Sequence, residues 1–269
     1  MIKTIVTGCC GRMGRAIIKC LADEPEMALV GAIESPGHPN IGKNVNDIMG
    51  LDKFKILIDD NFEEVIDKAD VVIEFILPDV TLKHLEIVKS YNKKIVIGTT
   101  GFKDEEKNII KKYSESIAIV LSPNMSVGVN LLFKLVEDVV DVLQSGYDIE
   151  IIEAHHNLKK DAPSGTAMKI AEILAKQQNK KLTDISVYGR KGLVGQRTRE
   201  EIGIHAVRAG DIVGDHTVLF GGMGERLEIT HRAHSRDNFA LGAIRAAKFI
   251  VSKEKGIFDM LDVLKLKKS

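Results

Sequence analysis

Apolar residues in the first half of the chain fall into short runs, which alternate with segments that have a helical pattern of apolar positions. Five runs have the length and the β-branched content of strands: residues 2–7, 28–33, 69–77, 94–98 and 117–121. The helical segments are the one after Gly14, then residues 80–91 and 104–114. Apolar strands that alternate with helices predict an α/β fold with a Rossmann-type, doubly wound parallel sheet.

The pattern changes after residue 130. We predict a helix over residues 130–143, a strand over 148–154 and a helix over 166–177. Apolar and polar residues then alternate over 203–208, 215–221 and 225–233, which predicts an antiparallel sheet with one face in solvent. Residues 238–251 and 256–264 have helical patterns. We therefore expect a dinucleotide-binding domain of residues 1–126 and 237–269. Residues 127–236 would form a second, α+β domain with a mostly antiparallel or mixed sheet.

Composition and charge narrow the possible partners. The 269 residues suffice for two domains, and 38 basic side chains balance 38 acidic ones. A neutral chain without a charged tail gives no reason to expect nucleic acid or a membrane surface as a partner. No apolar run reaches the roughly 18 residues of a membrane span, and no signal peptide is visible. Cys9, Cys10 and Cys20 form neither a disulfide framework nor a paired metal motif, so we expect a reducing, cytoplasmic location.

The first predicted strand runs directly into a glycine-rich turn, GCCGRMG, over residues 8–14. Strand, glycine turn and helix start are typical of a dinucleotide-binding fold, in which the backbone approaches a pyrophosphate at the helix N-terminus. The spacing is GxxGxxG rather than GxGxxG, and glycine turns between strand and helix are common. The motif alone is therefore weak.

Two side chains near this turn point to opposite cofactors. Glu34 ends the second strand twenty residues after Gly14, where a carboxylate binds the adenosine ribose hydroxyls of NADH. Arg12 lies inside the turn, where a guanidinium could meet the 2′-phosphate of NADPH. Thr99, Thr100 and Asn124 follow later strands, at the edge where parallel sheets bind ligands, and would suit a nicotinamide ribose. Ordinary turn chemistry explains each of these three equally well.

The densest polar stretch is EAHHNLKKDAPSGTA, residues 153–167. Proton donors precede a Ser-Gly-Thr turn that opens a predicted helix, and free amides at a helix start attract anions. This arrangement predicts a site that holds a carboxylate or phosphate and moves a proton beside it. The alternatives are a surface histidine pair and a serine that only caps the helix. No metal is implied, because the histidines lack a carboxylate or cysteine at ligand spacing.

Five stretches together resemble the 4-hydroxy-tetrahydrodipicolinate reductase (dihydrodipicolinate reductase) family: GCCGRMG, SPNMSVGVN at 122–130, residues 153–167, EIGIHAVR at 201–208 and GERLEITH at 224–231. The resemblance covers essentially the whole chain, and its most specific part is HHxxKxDAPSGTA. It implies reduction of 4-hydroxy-tetrahydrodipicolinate, a cyclic dicarboxylate, to tetrahydrodipicolinate by NADH or NADPH. The reaction belongs to the diaminopimelate route to lysine, and the resemblance implies a cytoplasmic homotetramer.

The resemblance also implies roles for individual residues. His155 matches the proton donor and Lys159 a second general acid. The substrate carboxylates would be bound by His156, Gly165 and Thr166. The cofactor would be lined by Gly8, Cys9, Cys10, Gly11, Arg12, Met13, Glu34, Gly98, Thr99, Thr100, Ser122, Pro123, Asn124 and Met125.

Two departures from the family pattern affect the cofactor. Many members have Asp-Phe followed by Thr or Ser after the third strand of the pattern, whereas this chain has Glu74, Phe75 and Ile76. A hydroxyl contact to the cofactor is therefore missing. Some members have an arginine directly after the ribose-binding acid, where this chain has Ser35. We expect either cofactor to work.

The residues and the resemblance agree on the chemistry. Hydride passes to an electron-poor ring carbon, and a histidine near its ordinary pKa of about 6.5 supplies the proton at neutral pH. His155 and Lys159 are four residues apart, but Pro163 and the preceding strand favour a loop over a helix. Two alternatives stay open: a dehydrogenase of the same build that acts on an aspartate-derived aldehyde, and a non-catalytic dinucleotide sensor.

Overall fold

The computed structural model describes residues 1–143 and 146–267. The chain divides into two compact units, Met1–Val127 with Arg236–Ser269, and Gly128–Ser235. Across the described residues, none of the helices has both the length and the apolar composition that a bilayer-spanning segment requires.

The elements follow one another as an alternating series and then as a strand-rich series. The strands are β1 (Ile2–Thr7), β2 (Met27–Ile33), β3 (Ile58–Asp59), β4 (Val71–Glu74), β5 (Lys94–Ile97), β6 (Ala118–Leu121), β7 (Asp148–His155), β8 (Ser186–Tyr188), β9 (Ile202–Arg208), β10 (Gly214–Gly222), β11 (Glu225–Ala233) and β12 (Gly256–Phe258). The helices are α1 (Arg12–Ala22), α2 (Val45–Met49), α3 (Phe62–Ile66), α4 (Pro78–Ser90), α5 (Asp104–Tyr113), α6 (Val127–Leu143), α7 (Gly165–Gln177), α8 (Leu182–Ile185), α9 (Asp237–Ile250) and α10 (Met260–Val263).

The first unit contains a seven-stranded sheet in the order β12-β6-β5-β4-β1-β2-β3. Every neighbouring pair in it is parallel. Successive residues of β4 face opposite sides: Val71 and Ile73 pack into the core that α1 and α9 cover, and Val72 packs into the core under α4 and α5. The predicted doubly wound parallel sheet is confirmed.

Some predictions for this unit were wrong or incomplete. The strand predicted over residues 69–77 is only Val71–Glu74, because the chain leaves the sheet at Phe75 and Pro78 opens α4 as its first residue. The helix predicted over 256–264 begins instead as a strand, β12, which pairs with β6. Between residues 34 and 69 the sequence pattern missed α2, β3 and α3, which are only two to five residues long.

The second unit contains a five-stranded sheet in the order β11-β10-β7-β9-β8. Helices α6 and α7 pack on one face of it, where Ile151, Val218 and Phe220 are fully buried. The sheet is mixed: β10 is antiparallel to β7 and β11, whereas β9 is parallel to β7 and β8. The predicted mostly antiparallel or mixed sheet is confirmed as mixed. The parallel pairing of β9 was not predicted, because strands with one face in solvent alternate in the same way in either direction. The short elements α8 and β8 were also missed.

Candidate functional site

Two glycines, Gly8 and Gly14, determine the shape of the turn after β1. Gly8 has a φ of +62°, a left-handed conformation that favours glycine. A Cβ on Gly14 would lie 2.2 Å from the carbonyl oxygen of Gly8, so any side chain there would push α1 away from the strand. Gly11 caps the helix with extended backbone and no side-chain hydrogen bond. The first amides of α1 are therefore presented without a competing side chain.

Glu34 lies directly beside this turn. Its Oε2 accepts a hydrogen bond of 2.9 Å from the backbone N–H of Cys10, and its Oε1 accepts one of 2.8 Å from that of Ser35. The carboxylate is thereby held at the carboxyl end of β2. Gly8, Cys10, Gly11 and Glu34 line one cavity of about 670 Å³. The structure thus brings together four of the predicted cofactor residues.

The far wall of this cavity is formed by Phe75, Ile76, Leu77, Val80, Lys83 and His84. Ile76 places an apolar side chain in the cavity where many family members have a hydroxyl. Lys83 and His84 were not singled out from the sequence. Cofactor residues were predicted from the sequence only in the turns that follow the strands. Lys83 and His84 were missed because they lie on the helix α4.

A buried acid, Glu74, supports that wall. Its Oε2 lies 2.5 Å from Nδ1 of His84 and accepts a hydrogen bond of 2.9 Å from the hydroxyl of Thr7. No described residue offers a hydrogen bond to its other oxygen, Oε1. A charge inside the apolar run VVIEFI was the sequence signal that could have marked this position.

The remaining predicted cofactor residues are in or near the same edge of the sheet. Of those in the turn, Cys9 is buried, Met13 is half-buried and Arg12 is exposed. Gly98 follows β5, and a Cβ there would lie 2.1 Å from the Phe75 ring. The Thr99 hydroxyl is occupied within the fold, because it accepts a hydrogen bond from the Ile76 N–H, whereas Thr100 is exposed.

The segment after β6 is a turn that is stabilised by hydrogen bonds between its own residues. Ser122 donates a hydrogen bond of 2.9 Å to the carbonyl of Asn124, whose Oδ1 accepts one of 2.9 Å from the N–H of Ser126. Pro123 is exposed and Met125 is buried. Since β6, β5, β4, β1 and β2 are consecutive and parallel, all the predicted cofactor residues belong to one edge of the sheet.

In the second unit, the buried face of strand β7 changes from apolar to polar side chains along the strand. Side chains two residues apart in a strand share a face. Ile149 and Ile151 continue the core, and the next two positions on the same face are Glu153 and His155. Glu153 is fully buried and His155 nearly so. The period of two therefore places the acid and the histidine side by side at the end of the strand.

The Glu153 carboxylate accepts four hydrogen bonds or close contacts. Its Oε2 lies 2.6 Å from Nδ1 of His155 and 2.8 Å from one terminal nitrogen of Arg208. Its Oε1 accepts 2.9 Å hydrogen bonds from the other terminal nitrogen of Arg208 and from the N–H of Ser164. Burial raises the pKa of this carboxyl, but its hydrogen bonds with Arg208 and His155 prevail and hold the pKa below the ordinary value.

The protonation of His155 differs from the expectation. Burial lowers its pKa below the ordinary value, and the neighbouring Glu153 only partly offsets this effect. The predicted pKa near 6.5 was therefore wrong for the protein without substrate. The ionised partner at Nδ1 requires an N–H there, so Nε2 is the ring nitrogen that can take up or release a proton.

A second histidine, His216, was not predicted. It lies on β10 directly opposite Glu153, and its ring meets that of His155 edge to face at a centroid distance of 5.2 Å. Burial lowers its pKa to about 3, so it is neutral. Its Nε2 lies 3.0 Å from the Ser164 hydroxyl, which also accepts a hydrogen bond from the N–H of Ala167. Ser164 is thus the N-cap of α7 and a link to the histidine pair.

The other predicted residues lie on the loop after β7 and on the first turn of α7. His156 has a buried Nδ1 to which no described residue offers a hydrogen bond. Lys159 pairs with Asp161 at 3.0 Å, a partner that the sequence did not suggest. Gly165 is exposed, and a Cβ on it would meet no atom within 4 Å. Thr166 follows it, half-buried. The expected loop at residues 156–164 is confirmed.

Two models of one protein family match nearly the whole chain. Residues 2–125 match the family model described as dihydrodipicolinate reductase, N-terminus, and residues 128–264 match the model described as its C-terminus. The chain is 50% identical over 264 residues to 4-hydroxy-tetrahydrodipicolinate reductase of Syntrophus aciditrophicus, and the match covers 98% of both chains. It is 46% identical over 267 residues to the protein of the same name from Citrifermentans bemidjiense, covering 99% of this chain and all of that one.

A solved structure extends the comparison to three dimensions. Dipicolinate-bound dihydrodipicolinate reductase from Paenisporosarcina sp. TG-14 superposes with a TM-score of 0.76 and 28% identity, covering 97% of this chain and 98% of that one. Diaminopimelate dehydrogenase of C. glutamicum has a TM-score of 0.57 at 13% identity and shares the fold. The predicted family is confirmed: the chain belongs to the dihydrodipicolinate reductase family of NAD(P)H-dependent oxidoreductases.

Proposed function

We propose that this protein catalyses the reduction of 4-hydroxy-tetrahydrodipicolinate to tetrahydrodipicolinate by NADH or NADPH, in diaminopimelate and lysine biosynthesis. The observation that carries the proposal is the Glu153–His155 pair, which stands at the start of the HHxxKxDAPSGTA stretch that leads into α7. The names of the full-length relatives support the same reaction.

The first unit would hold the dinucleotide. Its residues fit this group because Gly8 and Gly14 leave room for close backbone approach and the first amides of α1 are uncapped by a side chain. Glu34 would accept hydrogen bonds from the adenosine ribose hydroxyls. When bound, the reduced nicotinamide supplies the hydride. The further proposed cofactor contacts are Cys9, Cys10, Gly11, Arg12, Met13, Gly98, Thr99, Thr100, Ser122, Pro123, Asn124 and Met125.

The second unit would bind the two substrate carboxylates. The open space at Gly165 gives an anion access to the amides of Gly165 and Thr166 at the positive end of α7, a helix of 13 residues. The buried Nδ1 of His156 offers a further contact. Lys159 adds positive charge from the adjoining loop. A doubly charged cyclic substrate is the class of ligand that these groups favour.

His155 would supply the proton. Glu153 holds the Nδ1–H, and so Nε2 would be the nitrogen that delivers the proton as hydride arrives. Burial keeps the imidazole neutral in the free protein, but a bound dianion favours its protonated form and raises its pKa. Lys159 would provide a second proton path and stabilise the developing charge.

Assembly and location belong to the same proposal. We propose a cytoplasmic homotetramer formed through the sheet of the second unit. Its edge strand β11 is exposed along most of its length, and Leu227 and the adjoining Met223 are exposed apolar side chains. The free thiols of Cys9, Cys10 and Cys20 fit a reducing compartment. Light scattering after size-exclusion chromatography measures the assembly directly.

One assay tests the reaction. Loss of reduced-nicotinamide absorbance is followed with freshly made 4-hydroxy-tetrahydrodipicolinate and, in parallel, with an aspartate-derived aldehyde. We expect turnover with the cyclic dicarboxylate only. Turnover with the aldehyde alone would identify a different dehydrogenase, and tight dinucleotide binding without turnover would identify a sensor.

A further inference from the structure

The glycine turn contains two adjacent thiols that dinucleotide binding does not require. A phosphate-binding turn needs glycines and backbone amides, which Gly8, Gly11 and Gly14 already provide. Cys9 and Cys10 nevertheless occupy the two positions between Gly8 and Gly11, and their sulfurs lie 3.9 Å apart. The carboxylate of Glu34 completes a cluster whose three donor atoms all lie within 4.8 Å of one another.

The separation of the two sulfurs matches a metal site. Tetrahedral zinc has Zn–S bonds of about 2.3 Å, which place two bound sulfurs roughly 3.8 Å apart. The observed separation of 3.9 Å therefore needs almost no rearrangement. The third donor is already anchored, since the N–H of Cys10 holds Oε2 of Glu34 at 2.9 Å. Cys10 and Glu34 line the cavity, whereas Cys9 is fully buried, so the turn has to open slightly for a cation to reach its sulfur.

The electrostatics of the cluster also favour a cation. With both thiols ionised, two thiolates and the Glu34 carboxylate would place three negative charges within 4.8 Å of one another. A divalent cation reverses this repulsion and favours both thiolates. Two thiolates select soft or borderline ions such as Zn²⁺ and Cd²⁺ over Mg²⁺ and Ca²⁺.

We propose that Cys9, Cys10 and Glu34 bind a soft divalent cation and that the bound cation excludes the reduced dinucleotide. Both thiols lose their protons to solvent, two S–M bonds and one O–M bond form, and water occupies the open position. Exclusion follows because the same carboxylate and the same turn serve both ligands. This second part rests on the proposed function, in which Glu34 binds the ribose hydroxyls.

Cobalt provides the test, because thiolate-bound Co²⁺ has a charge-transfer band in the near ultraviolet. The full-length, reduced, metal-free protein is titrated with Co²⁺ alone and then with Zn²⁺ in competition. We expect one cobalt per chain and displacement of the band by Zn²⁺.

Three variants separate this site from adventitious binding. Cys10→Ser and Glu34→Gln each remove one donor, and we expect affinity to fall by more than the roughly 10- to 100-fold that loss of a ligand's hydrogen-bond partner costs. Cys20→Ser is the matched control, since Cys20 lies on α1 outside the cluster, and it should keep the full band. A cobalt affinity that is unchanged in Cys10→Ser and Glu34→Gln, or that is lost in Cys20→Ser, would overturn the assignment.

Competition with NADH completes the experiment. We expect saturating NADH to abolish the cobalt band and Zn²⁺ to raise the apparent dissociation constant of NADH in proportion to its concentration. A protein that binds NADH but keeps its cobalt band unchanged would contradict the proposed exclusion. Failure to bind NADH even without metal would instead contradict the proposed function, so that the two failures are distinguishable.

Discussion

Oε2 of Glu153 lies 2.6 Å from Nδ1 of His155, and both side chains belong to the buried face of a single strand. The same carboxylate is clamped by both terminal nitrogens of Arg208. Breaking a buried pair of this kind by removing one partner typically costs about 3–5 kcal/mol. The arrangement fixes the tautomer of His155 and leaves Nε2 for chemistry.

The first prediction concerns that nitrogen. His155→Gln keeps a hydrogen-bonding side chain but removes the titrating group, so kcat should fall by roughly 10²- to 10⁴-fold, the usual contribution of a general acid or base. The dissociation constant of NADH, measured by quenching of its fluorescence, should stay the same. Turnover at the wild-type rate would exclude His155 as the proton donor.

The second prediction tests Glu153 through the pH profile. Burial lowers the pKa of His155 and Glu153 raises it, so Glu153→Gln should lower it further. If the reaction needs the imidazolium, kcat/KM falls as pH rises through this pKa, and the falling limb should move to lower pH in the variant. Glu172→Gln, which changes an exposed carboxylate on α7 in the same unit, is the matched control and should leave the limb in place. An unmoved limb in Glu153→Gln would show that the acid has only a structural role.

The third prediction uses the close approach of the backbone to His155. A Cβ on Gly214 would lie 3.0 Å from Nε2 of His155, whereas one on Gly221 of the same strand would have its nearest contact at 3.6 Å. Gly214→Ala should therefore displace the imidazole and lower kcat, while Gly221→Ala should be close to wild type. NADH affinity should be equal in both. Equal kcat values would show that the ring tolerates the added methyl group.

The sequence predicted helices and strands better than it predicted the hydrogen-bond partners of individual side chains. Buried strands such as β5 and β6 consist almost entirely of apolar residues, KIVI and AIVL, and such runs can be detected without knowledge of the fold. Arg208 and His216 are 55 and 52 residues from the groups they bond, Glu153 and Ser164, and no local pattern encodes such pairings. Glu153 could have been found, because a period of two from His155 leads to it.

The pairing of strands shows the same limit. One-sided alternation in β9 is compatible with either direction, and only the tertiary structure makes it parallel to β7. In the candidate site, the HHxxKxDAPSGTA motif was enough to predict His155, Lys159 and the start of α7. The lowered pKa of His155 depends on burial in a sheet that the sequence did not specify.

The fourth prediction addresses cofactor choice. Arg12 is the exposed first residue of α1, in the turn where a 2′-phosphate would be met. Loss of a hydrogen bond to a charged group costs about 1.5–3 kcal/mol, so Arg12→Ala should raise the KM for NADPH by roughly 10- to 100-fold and hardly alter that for NADH. Lys19→Ala, at an exposed position in the last turn of α1, controls for a general loss of positive charge. Equal losses with both cofactors would refute a phosphate contact.

The last prediction concerns stability in acid. Glu150 contacts Arg190, Arg197 and His205 at 2.7–3.0 Å on the sheet of the second unit. Burial raises the pKa of this carboxyl, but the hydrogen bonds from Arg190, His205 and Arg197 outweigh it and lower the pKa to about 2. A folded-state pKa below the ordinary value of about 4.3 contributes stability that is present above that value and is lost as pH falls toward 2.

The size of this contribution follows from the shift and is about 3 kcal/mol at neutral pH. Glu150→Gln should therefore lower the free energy of unfolding at pH 7 and flatten its decline between pH 5 and pH 2. Urea unfolding at fixed protein concentration measures both quantities, since an oligomer's stability depends on concentration. Glu137→Gln, which removes an exposed partner of Lys134, should cost less than about 1 kcal/mol. Equal losses in the two variants would show that the Glu150 cluster is worth no more than a surface pair.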